Sequence, residues 1–261
     1  MIDLSQNICY DETLSFNFAF DSYGKHSKCL EILKEHYDCD NIDLGYGISE
    51  LISRIMCFIK HKKLKLTICN NAWPGVKNIQ VAMNVAEGKD VFYIVNPNGI
   101  DGTELTKDQI VSLSTQYKYL IVDEAYSDFS NSSVIKHRTP NMIILKTMSK
   151  SLASPGVRFG WCFANQEVLD FTTSIRPRSV VVGGMDLQLK SMLLEIPNHA
   201  ERMIETRDFL QNNFDCKPSC GNYVLFQSIP KQIEKNFIIN QTGHLGRMAL
   251  INLGIVKQCL Q

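Results

Sequence analysis

Short apolar runs alternate over the first 170 or so residues with stretches whose apolar positions recur at helical spacing. In SELISRIMCFIKHKK, Leu51, Ile55 and Phe58 fall on one helical face, and basic residues suit the C-terminal end. A second helix is predicted in GVKNIQVAMNVAEGK and a third from Thr106 in LTKDQIVSLSTQY. Strands are predicted in NIDLGYG, LKLTICN, DVFYIVNPNG, KYLIVDEAY and NMIILKTMS. This alternation predicts an α/β fold with a mainly parallel central sheet flanked by helices.

The pattern changes near Val168, where longer amphipathic segments begin. Two helices are predicted there, in MDLQLKSMLLE and HAERMIETRDFLQNNF, followed by the strand-like NYVLFQS. We therefore predict a large domain over residues 41–167 and a small, reduced C-terminal α+β domain over residues 168–261. Residues 1–40 are expected to form an N-terminal segment that joins the small domain.

Composition limits the kinds of partner. The chain has 261 residues, and its 27 lysines and arginines balance 27 aspartates and glutamates. No basic field indicates nucleic acid, and no apolar run approaches the roughly 20 residues that a membrane-spanning helix needs. Nine scattered cysteines and an N-terminus unlike a signal peptide favour a reducing cytoplasm, and no spacing indicates a metal site. The partner expected is a small molecule.

Polar residues follow several of the predicted strands, at the edge where parallel sheets bind ligands. After NIDL, Gly47 allows close backbone approach, and Ser49 opens a helix whose free N–H groups can bind an anion. A simple glycine turn capped by Ser49 is the alternative. After LTICN, Trp73 is placed either to stack on a flat ring or to pack within a turn.

Two further strand ends carry reactive groups. Asp123 follows an apolar run, so its carboxylate is expected to be buried and to need a cationic or hydrogen-bonding partner. Tyr126 would project into the same space. The alternatives are that Asp123 caps the next turn and that Tyr126 only packs.

Lys150 follows the predicted strand NMIILKTMS, and its neighbours in sequence carry hydroxyl groups. Thr147 and Ser149 precede it, and Arg158 follows eight residues later. A solvated loop lysine is the alternative for the isolated stretch. Together with the other strand ends, however, this segment supplies an anion site, an aromatic plate, a buried carboxylate and an amine nucleophile. Pyridoxal 5′-phosphate (PLP) requires all four, since it has a phosphate, a flat ring, a pyridine nitrogen and an aldehyde that forms a Schiff base with lysine.

The same segments resemble the fold-type I PLP enzymes, specifically class I/II aminotransferases near histidinol-phosphate aminotransferase and threonine-phosphate decarboxylase. TMSKSLASPGVRFGW resembles their Schiff-base lysine motif, and VDEAYSDF resembles the strand with the pyridine-nitrogen aspartate and the ring-hydroxyl tyrosine. NIDLGYGISELI is similar to the phosphate-binding segment, which implies cofactor contacts from Gly47, Ile48 and Ser49. NNAWPG is similar to the segment with the stacking aromatic residue.

The resemblance also implies roles for residues outside these motifs. NPNGIDG is similar to the family's NPNNPTG, with Gly99 where the family has an asparagine that contacts the ring hydroxyl, so Asn98 is the candidate replacement. Tyr23 is expected to reach the phosphate of a neighbouring subunit in a homodimer. Asn222 and Arg247 are expected to contact substrate, Arg247 as a clamp on the α-carboxylate, although an ordinary strand-edge arginine is the alternative.

These features imply an aminotransferase that moves an amino group between a small amino acid or amine and a keto acceptor. A PLP-dependent decarboxylase or lyase is the alternative within the class. A degenerate relative that only binds a partner is the alternative outside it, favoured by Gly99 and by the short C-terminal domain. A serine acyl-enzyme is disfavoured, because Thr147 occupies the position three residues before the lysine where that mechanism needs serine.

Overall fold

The computed structural model describes residues 2–5, 8–9, 11, 13–242 and 244–260. The strands are β1 (Ile2–Asp3), β2 (Ala19–Tyr23), β3 (Ile42–Tyr46), β4 (Leu66–Ile68), β5 (Val91–Val95), β6 (Tyr119–Asp123), β7 (Met142–Thr147), β8 (Phe159–Phe163), β9 (Val182–Gly183), β10 (Cys216–Lys217), β11 (Tyr223–Phe226), β12 (Phe237–Ile238), β13 (Asn240–Thr242) and β14 (Leu245–Ala249). The helices are α1 (His26–Tyr37), α2 (Gly47–His61), α3 (Pro74–Ala82), α4 (Lys107–Ser114), α5 (Met148–Ser151), α6 (Gln166–Ser174), α7 (Met185–Asn213), α8 (Lys231–Asn236) and α9 (Leu253–Leu260).

A six-stranded sheet with the order β3-β8-β7-β6-β5-β4 forms the centre of the fold. Strands β4 to β7 are parallel, whereas β8 runs antiparallel to both of its neighbours, β3 and β7. Strand β3 therefore points the same way as the parallel strands, and the carboxyl ends of β3, β5, β6 and β7 all lie at one edge of the sheet. The mainly parallel sheet predicted from the sequence is present, with β8 as an antiparallel member that the apolar pattern did not reveal.

Helices cover both faces of this sheet because each carries an apolar face. On one face, α2 buries residues that include Leu51, Ile55 and Phe58, as its spacing predicts. The opposite face packs against α1 and the first half of α7. Helix α4 begins at the predicted place, with Thr106 as its N-cap in a reciprocal capping box with Gln109.

Helix α7 is one continuous helix of 29 residues, where the sequence pattern predicted two. Its first half, up to Ile196, packs in the core beneath the large sheet, whereas Ala200, Met203 and Leu210 pack in the C-terminal core. Pro197 lies inside the helix, between these two sets of contacts. The proline interrupts the apolar spacing but not the helix.

The C-terminal region contains a four-stranded antiparallel sheet with the order β10-β11-β14-β13. The start of the chain also belongs to this C-terminal region, because β1 pairs with β12 in a separate two-stranded sheet and Leu4 packs in the C-terminal core. Helix α1 packs instead against the large sheet. The domain boundaries given above stay a prediction.

Within the described part of the chain, none of the helices combines the length and the apolar character needed to cross a membrane. The same residues contain no cluster of three or more histidine, cysteine or acidic side chains that could hold a metal ion. All nine cysteines lie in the described ranges, and each is a free thiol.

Candidate active site

A cavity of about 620 Å³ opens at the edge of the large sheet where the carboxyl ends of β3, β5, β6 and β7 meet. Strand β14 of the C-terminal sheet closes its other side with Arg247. Ten of the residues singled out from the sequence line this one cavity: Ile48, Ser49, Trp73, Asp123, Tyr126, Thr147, Ser149, Lys150, Arg158 and Arg247.

The first turn of α2 and Arg158 form a positively charged corner of the cavity. No side chain caps the helix N-terminus, so its first N–H groups stay available to an anion. Gly47 has a φ of 74°, and a Cβ there would lie 2.6 Å from Arg158 Nη2. Glycine thus allows the guanidinium to lie directly against the start of the helix. Arg158 also donates a hydrogen bond to the Pro155 carbonyl at 3.2 Å.

The segment after β7 turns at Thr147 so that Lys150 faces the cavity. The Thr147 hydroxyl accepts a hydrogen bond from the Ser149 N–H at 3.1 Å and starts the short helix α5. The other lysine of this stretch, Lys146, is buried away from the cavity, where it pairs with Asp128 at 2.6 Å. The two lysines therefore have separate roles, and Lys150 is the one at the candidate site.

Burial is the main reason that the pKa of Lys150 is lowered from 10.5 to about 8. The positive charge of Arg247 lowers this pKa further, whereas Asp123 acts in the opposite direction. The Lys150 ammonium lies 5.8 Å from the centre of the Tyr126 ring. An amine with this pKa is partly neutral near pH 8, so it can act as a nucleophile or accept a proton.

Asp123 ends β6 as a buried carboxylate with two hydrogen-bond donors. Its Oδ2 accepts from the Tyr93 hydroxyl at 2.5 Å, and its Oδ1 accepts from the Ala125 N–H at 3.0 Å. Burial raises the pKa of Asp123, and these hydrogen bonds and the Lys150 charge offset only part of that rise. Both donors favour the ionised form, which would hold a cationic N–H group placed in the cavity.

Arg247 is fixed between the two sheets. Its Nη1 donates to the Gly99 carbonyl at 3.0 Å, and its guanidinium lies over the Tyr223 ring, 5.5 Å from the centre. The Tyr223 hydroxyl in turn donates to the Asn98 carbonyl at 2.7 Å. Arg247 is therefore part of the cavity wall and is tied to the loop after β5.

Gly99 leaves room for the Tyr126 ring. A Cβ at Gly99 would lie 2.5 Å from Tyr126 Cε2, closer than real Cβ contacts come. The missing side chain therefore allows the aromatic ring to pack against the loop. An asparagine at residue 99 would have to displace Tyr126.

Four of the predicted residues do not line the cavity: Gly47, Asn98, Asn222 and Tyr23. Asn98 holds its own loop together, since its Oδ1 accepts from the Ile100 N–H at 2.9 Å and its Nδ2 donates to the Asn71 carbonyl at 3.0 Å. Asn222 is buried just before β11, where its carbonyl accepts the Leu250 N–H. Tyr23 lies on the surface with 84% of its area exposed.

Several residues of the site were not identified from the sequence. Tyr93 and Tyr223 contact Asp123 and Arg247 from other strands, and their partners lie 30 and 24 residues away along the chain. Ser5, Asn71 and Asn240 also line the cavity. Only the position of Asn71 directly after a strand gave a usable signal, because the others depend on contacts between distant segments.

Residues 44–254 match the sequence family described as aminotransferase class I and II. The chain belongs to this family. The match extends over both sheets and includes the strand ends from β3 to β14 that contribute to the cavity, whereas Ser5 precedes it. The family expected from the lysine, aspartate and phosphate-segment motifs is confirmed.

Individual relatives are distant. The chain is 23% identical over 246 residues to histidinol-phosphate aminotransferase 2 of Archaeoglobus fulgidus, covering 80% of this chain and 71% of that protein. It is 28% identical over 220 residues to the histidinol-phosphate aminotransferase of Buchnera aphidicola subsp. Schizaphis graminum, covering 73% of this chain and 61% of that protein. The chain thus matches between three fifths and three quarters of the length of these relatives.

A solved structure has the same fold. The histidinol-phosphate aminotransferase of Sinorhizobium meliloti, determined in complex with pyridoxal-5′-phosphate, superposes with a TM-score of 0.76 at 14% identity. The superposition covers 100% of this chain and 92% of that one. The predicted fold class is confirmed: a PLP-dependent transferase fold with a mainly parallel central sheet and a small C-terminal antiparallel sheet.

Proposed function

We propose that this chain is a PLP-dependent aminotransferase that transfers an amino group between a small amino donor and a keto acceptor. The observation that carries the proposal is the convergence of Lys150, Asp123, Arg158 and Arg247 on a single cavity. Membership of the aminotransferase family and the PLP complex of the Sinorhizobium relative support it.

The residues of the cavity fit the cofactor. A phosphate suits the uncapped start of α2 together with Arg158, Ser49 and Ser149. Asp123, with two donors that favour its charge, suits a protonated pyridine nitrogen. The exposed face of Trp73 suits the ring. When bound, PLP supplies an aldehyde for an amine nucleophile and a conjugated ring that accepts electrons from the substrate Cα.

The protein contributes positioning and proton transfer. Arg247 binds the substrate α-carboxylate and thereby fixes which substrate bond faces Lys150. Lys150, with its pKa near 8, removes the Cα proton as a neutral amine and returns it in the reverse direction. Asp123 keeps its negative charge beside the ring nitrogen throughout.

The test is visible absorption of the purified protein with PLP, alongside the Lys150→Ala variant. We expect an absorption band that depends on Lys150, that is bleached by amino donors and that returns when a keto acid is added. Return of the band with formation of a new amino acid distinguishes transamination from decarboxylation, which would release carbon dioxide instead. A protein without a Lys150-dependent band would contradict the proposal and leave partner binding as the function to examine.

We also propose that the chain forms a homodimer. Tyr23, Leu187 and Leu194 are exposed by 84%, 75% and 64%, and the two leucines lie seven residues apart on the same side of α7. A second copy that covers these side chains would remove this apolar surface from water. Sedimentation equilibrium tests the proposal, and a monomer at micromolar concentration contradicts it.

A further inference from the structure

An acidic residue, Glu50, lies in the first turn of α2, next to the corner of the cavity that suits a phosphate. A carboxylate at a helix start is attracted by the same free N–H groups that bind an anion. Its charge would also repel a phosphate bound there. Ser49 nevertheless lines the cavity, whereas Glu50 does not. The reason lies in the contacts of the Glu50 carboxylate.

Arg54 binds the Glu50 carboxylate from one turn further along the helix. Its Nε lies 2.7 Å from Glu50 Oε1, and its Nη2 donates to Glu50 Oε2 at 2.9 Å. The same Oε2 accepts the N–H of Tyr46, the last residue of β3, at 3.3 Å. Glu50 thus satisfies the N–H of the residue before α2, and the N–H groups of the first three helical residues remain for an anion.

Arg54 is itself fixed by contacts from β3 and α6. Its Nη1 donates to Asp43 Oδ2 at 2.6 Å and to the Thr172 carbonyl at 3.2 Å, and its Nη2 also donates to the Leu44 carbonyl. Only 4% of its side chain is exposed. Because Arg54 is buried and these partners belong to its own chain, the network forms within one subunit. The guanidinium is therefore a fixed point against which Glu50 is held.

The charges of this network are balanced. Asp43 also pairs with Arg176, whose Nη1 lies 2.7 Å from Asp43 Oδ1, so two carboxylates face two guanidinium groups. His26 lies 3.9 Å from Asp43, but burial lowers its pKa, so the ring is largely uncharged at neutral pH. Loss of the Arg54 charge would therefore leave Glu50 as an uncompensated negative charge in the turn that binds the phosphate.

We propose that Arg54 is a positioning residue for the phosphate of the cofactor. It keeps the Glu50 carboxylate on the Tyr46 N–H, so that the free N–H groups of α2 and the Arg158 guanidinium remain available to the phosphate. The inference rests on the proposed PLP-dependent function, and it concerns how the chain binds the cofactor, whichever amino donor is used.

The test compares PLP with pyridoxal, which has the same ring and aldehyde but no phosphate. The affinity of the cofactor-free full chain for each compound is measured from the absorption band that depends on Lys150. Arg54→Gln removes the charge that binds Glu50. We expect this variant to bind PLP at least about tenfold more weakly and pyridoxal less than about twofold more weakly, because only PLP brings a phosphate to the freed carboxylate.

Removal of the freed carboxylate should restore the site. In the double variant Arg54→Gln/Glu50→Gln, we expect PLP affinity to return to within about threefold of that of the unmodified chain. Arg54→Lys keeps the charge and should lose less PLP affinity than Arg54→Gln. Glu50→Gln alone should bind PLP at least about twofold more tightly, with unchanged pyridoxal affinity, because Arg54 then has one carboxylate fewer. This variant tests the role of the charge even if Arg54→Gln does not fold.

Lys62→Gln is the matched control. Lys62 directly follows the other end of α2, and it pairs with a glutamate outside the cavity, Glu167 at 2.5 Å. Loss of this cation should change neither affinity.

The outcomes separate the two proposals. Equal losses of PLP and pyridoxal affinity in Arg54→Gln, or a double variant that binds PLP no better than Arg54→Gln, would show that Arg54 only stabilises the fold. Either result overturns the inference, as does Glu50→Gln that binds PLP no more tightly than the unmodified chain. A Lys150-dependent band in the unmodified chain would still support the aminotransferase proposal. If the unmodified chain forms no such band with PLP, both proposals fail.

Discussion

Tyr93 provides a specific test of how the candidate site controls Asp123. The Tyr93 hydroxyl donates to Asp123 Oδ2 at 2.5 Å, and both side chains are buried. Tyr93→Phe removes this donor and keeps the ring, so the core beneath β5 retains its packing. The only change at the site is that the carboxylate loses one of its two hydrogen bonds.

The size of the effect follows from that single bond. A hydrogen bond to a charged group contributes about 1.5–3 kcal/mol, and about 1.4 kcal/mol corresponds to one pKa unit. Because the hydroxyl can also donate to the protonated acid, for about 0.5–1.5 kcal/mol, only the difference of about 1–1.5 kcal/mol favours the ionised form, and loss of the bond raises the pKa of Asp123 further, by about one unit. A protonated Asp123 cannot accept an N–H bond from a charged ring, so PLP affinity falls as pH decreases through this pKa.

The assay is titration of the cofactor-free protein with PLP between pH 5 and 9. We expect affinity to decline at low pH in both proteins, with the decline of Tyr93→Phe displaced by about one unit toward higher pH. Tyr119→Phe is the matched control, because it also deletes a tyrosine hydroxyl bonded to a carboxylate, that of Glu167 at 2.7 Å, but outside the cavity. Coincident pH profiles for the unmodified chain and Tyr93→Phe would refute this account of Asp123.

Three further predictions follow from the same cavity. Gly47→Ala should weaken PLP binding about tenfold and lower the free energy of unfolding by about 1 kcal/mol, because the new Cβ takes an unfavourable φ and displaces Arg158. Cofactor titration measures the PLP affinity and urea unfolding measures the stability, and an unchanged PLP affinity would contradict the displacement of Arg158. The rate at which PLP and borohydride label Lys150 should rise with pH to a midpoint near 8, because the lowered pKa makes the amine neutral at a lower pH. A midpoint near about 10.4, the pKa of an ordinary lysine, would contradict the lowered pKa. Gly99→Asn should lower kcat/KM because it displaces Tyr126, and an increase would show that the family asparagine is tolerated here.

The sequence predicted those parts of the site that depend on one strand and the turn after it. Asp123, Thr147 and Lys150 each follow an apolar run, and parallel strands necessarily bring such ends together. Arg247 was recognised by resemblance, but its bond to the Gly99 carbonyl joins segments 148 residues apart. Local patterns carry no information on such contacts.

The errors in the predicted elements have similar causes. Helix α7 was divided because Pro197 lacks an N–H group and local propensity disfavours it inside a helix, yet burial on both sides of the proline holds the helix together. Strand β8 was not predicted because FGWCF closely follows the turn-forming Pro155 and Gly156 and is buried on both faces, so it has no alternation. The pairing of Asn240 with Arg247 depends on the register of β13 and β14, which composition does not determine.

The continuity of α7 has a mechanical consequence for the cavity. One half of the helix packs beneath the large sheet and the other half beneath the C-terminal sheet. The C-terminal sheet, which bears Arg247, therefore cannot rotate away from Lys150 as an independently hinged unit. Any widening of the cavity requires the helix to flex, and Pro197 is where flexing costs least, since its ring leaves the carbonyl one turn earlier without a backbone donor. Opening of the cavity for substrate entry or product release therefore requires α7 to bend at Pro197, and the bending stiffness of the helix opposes it.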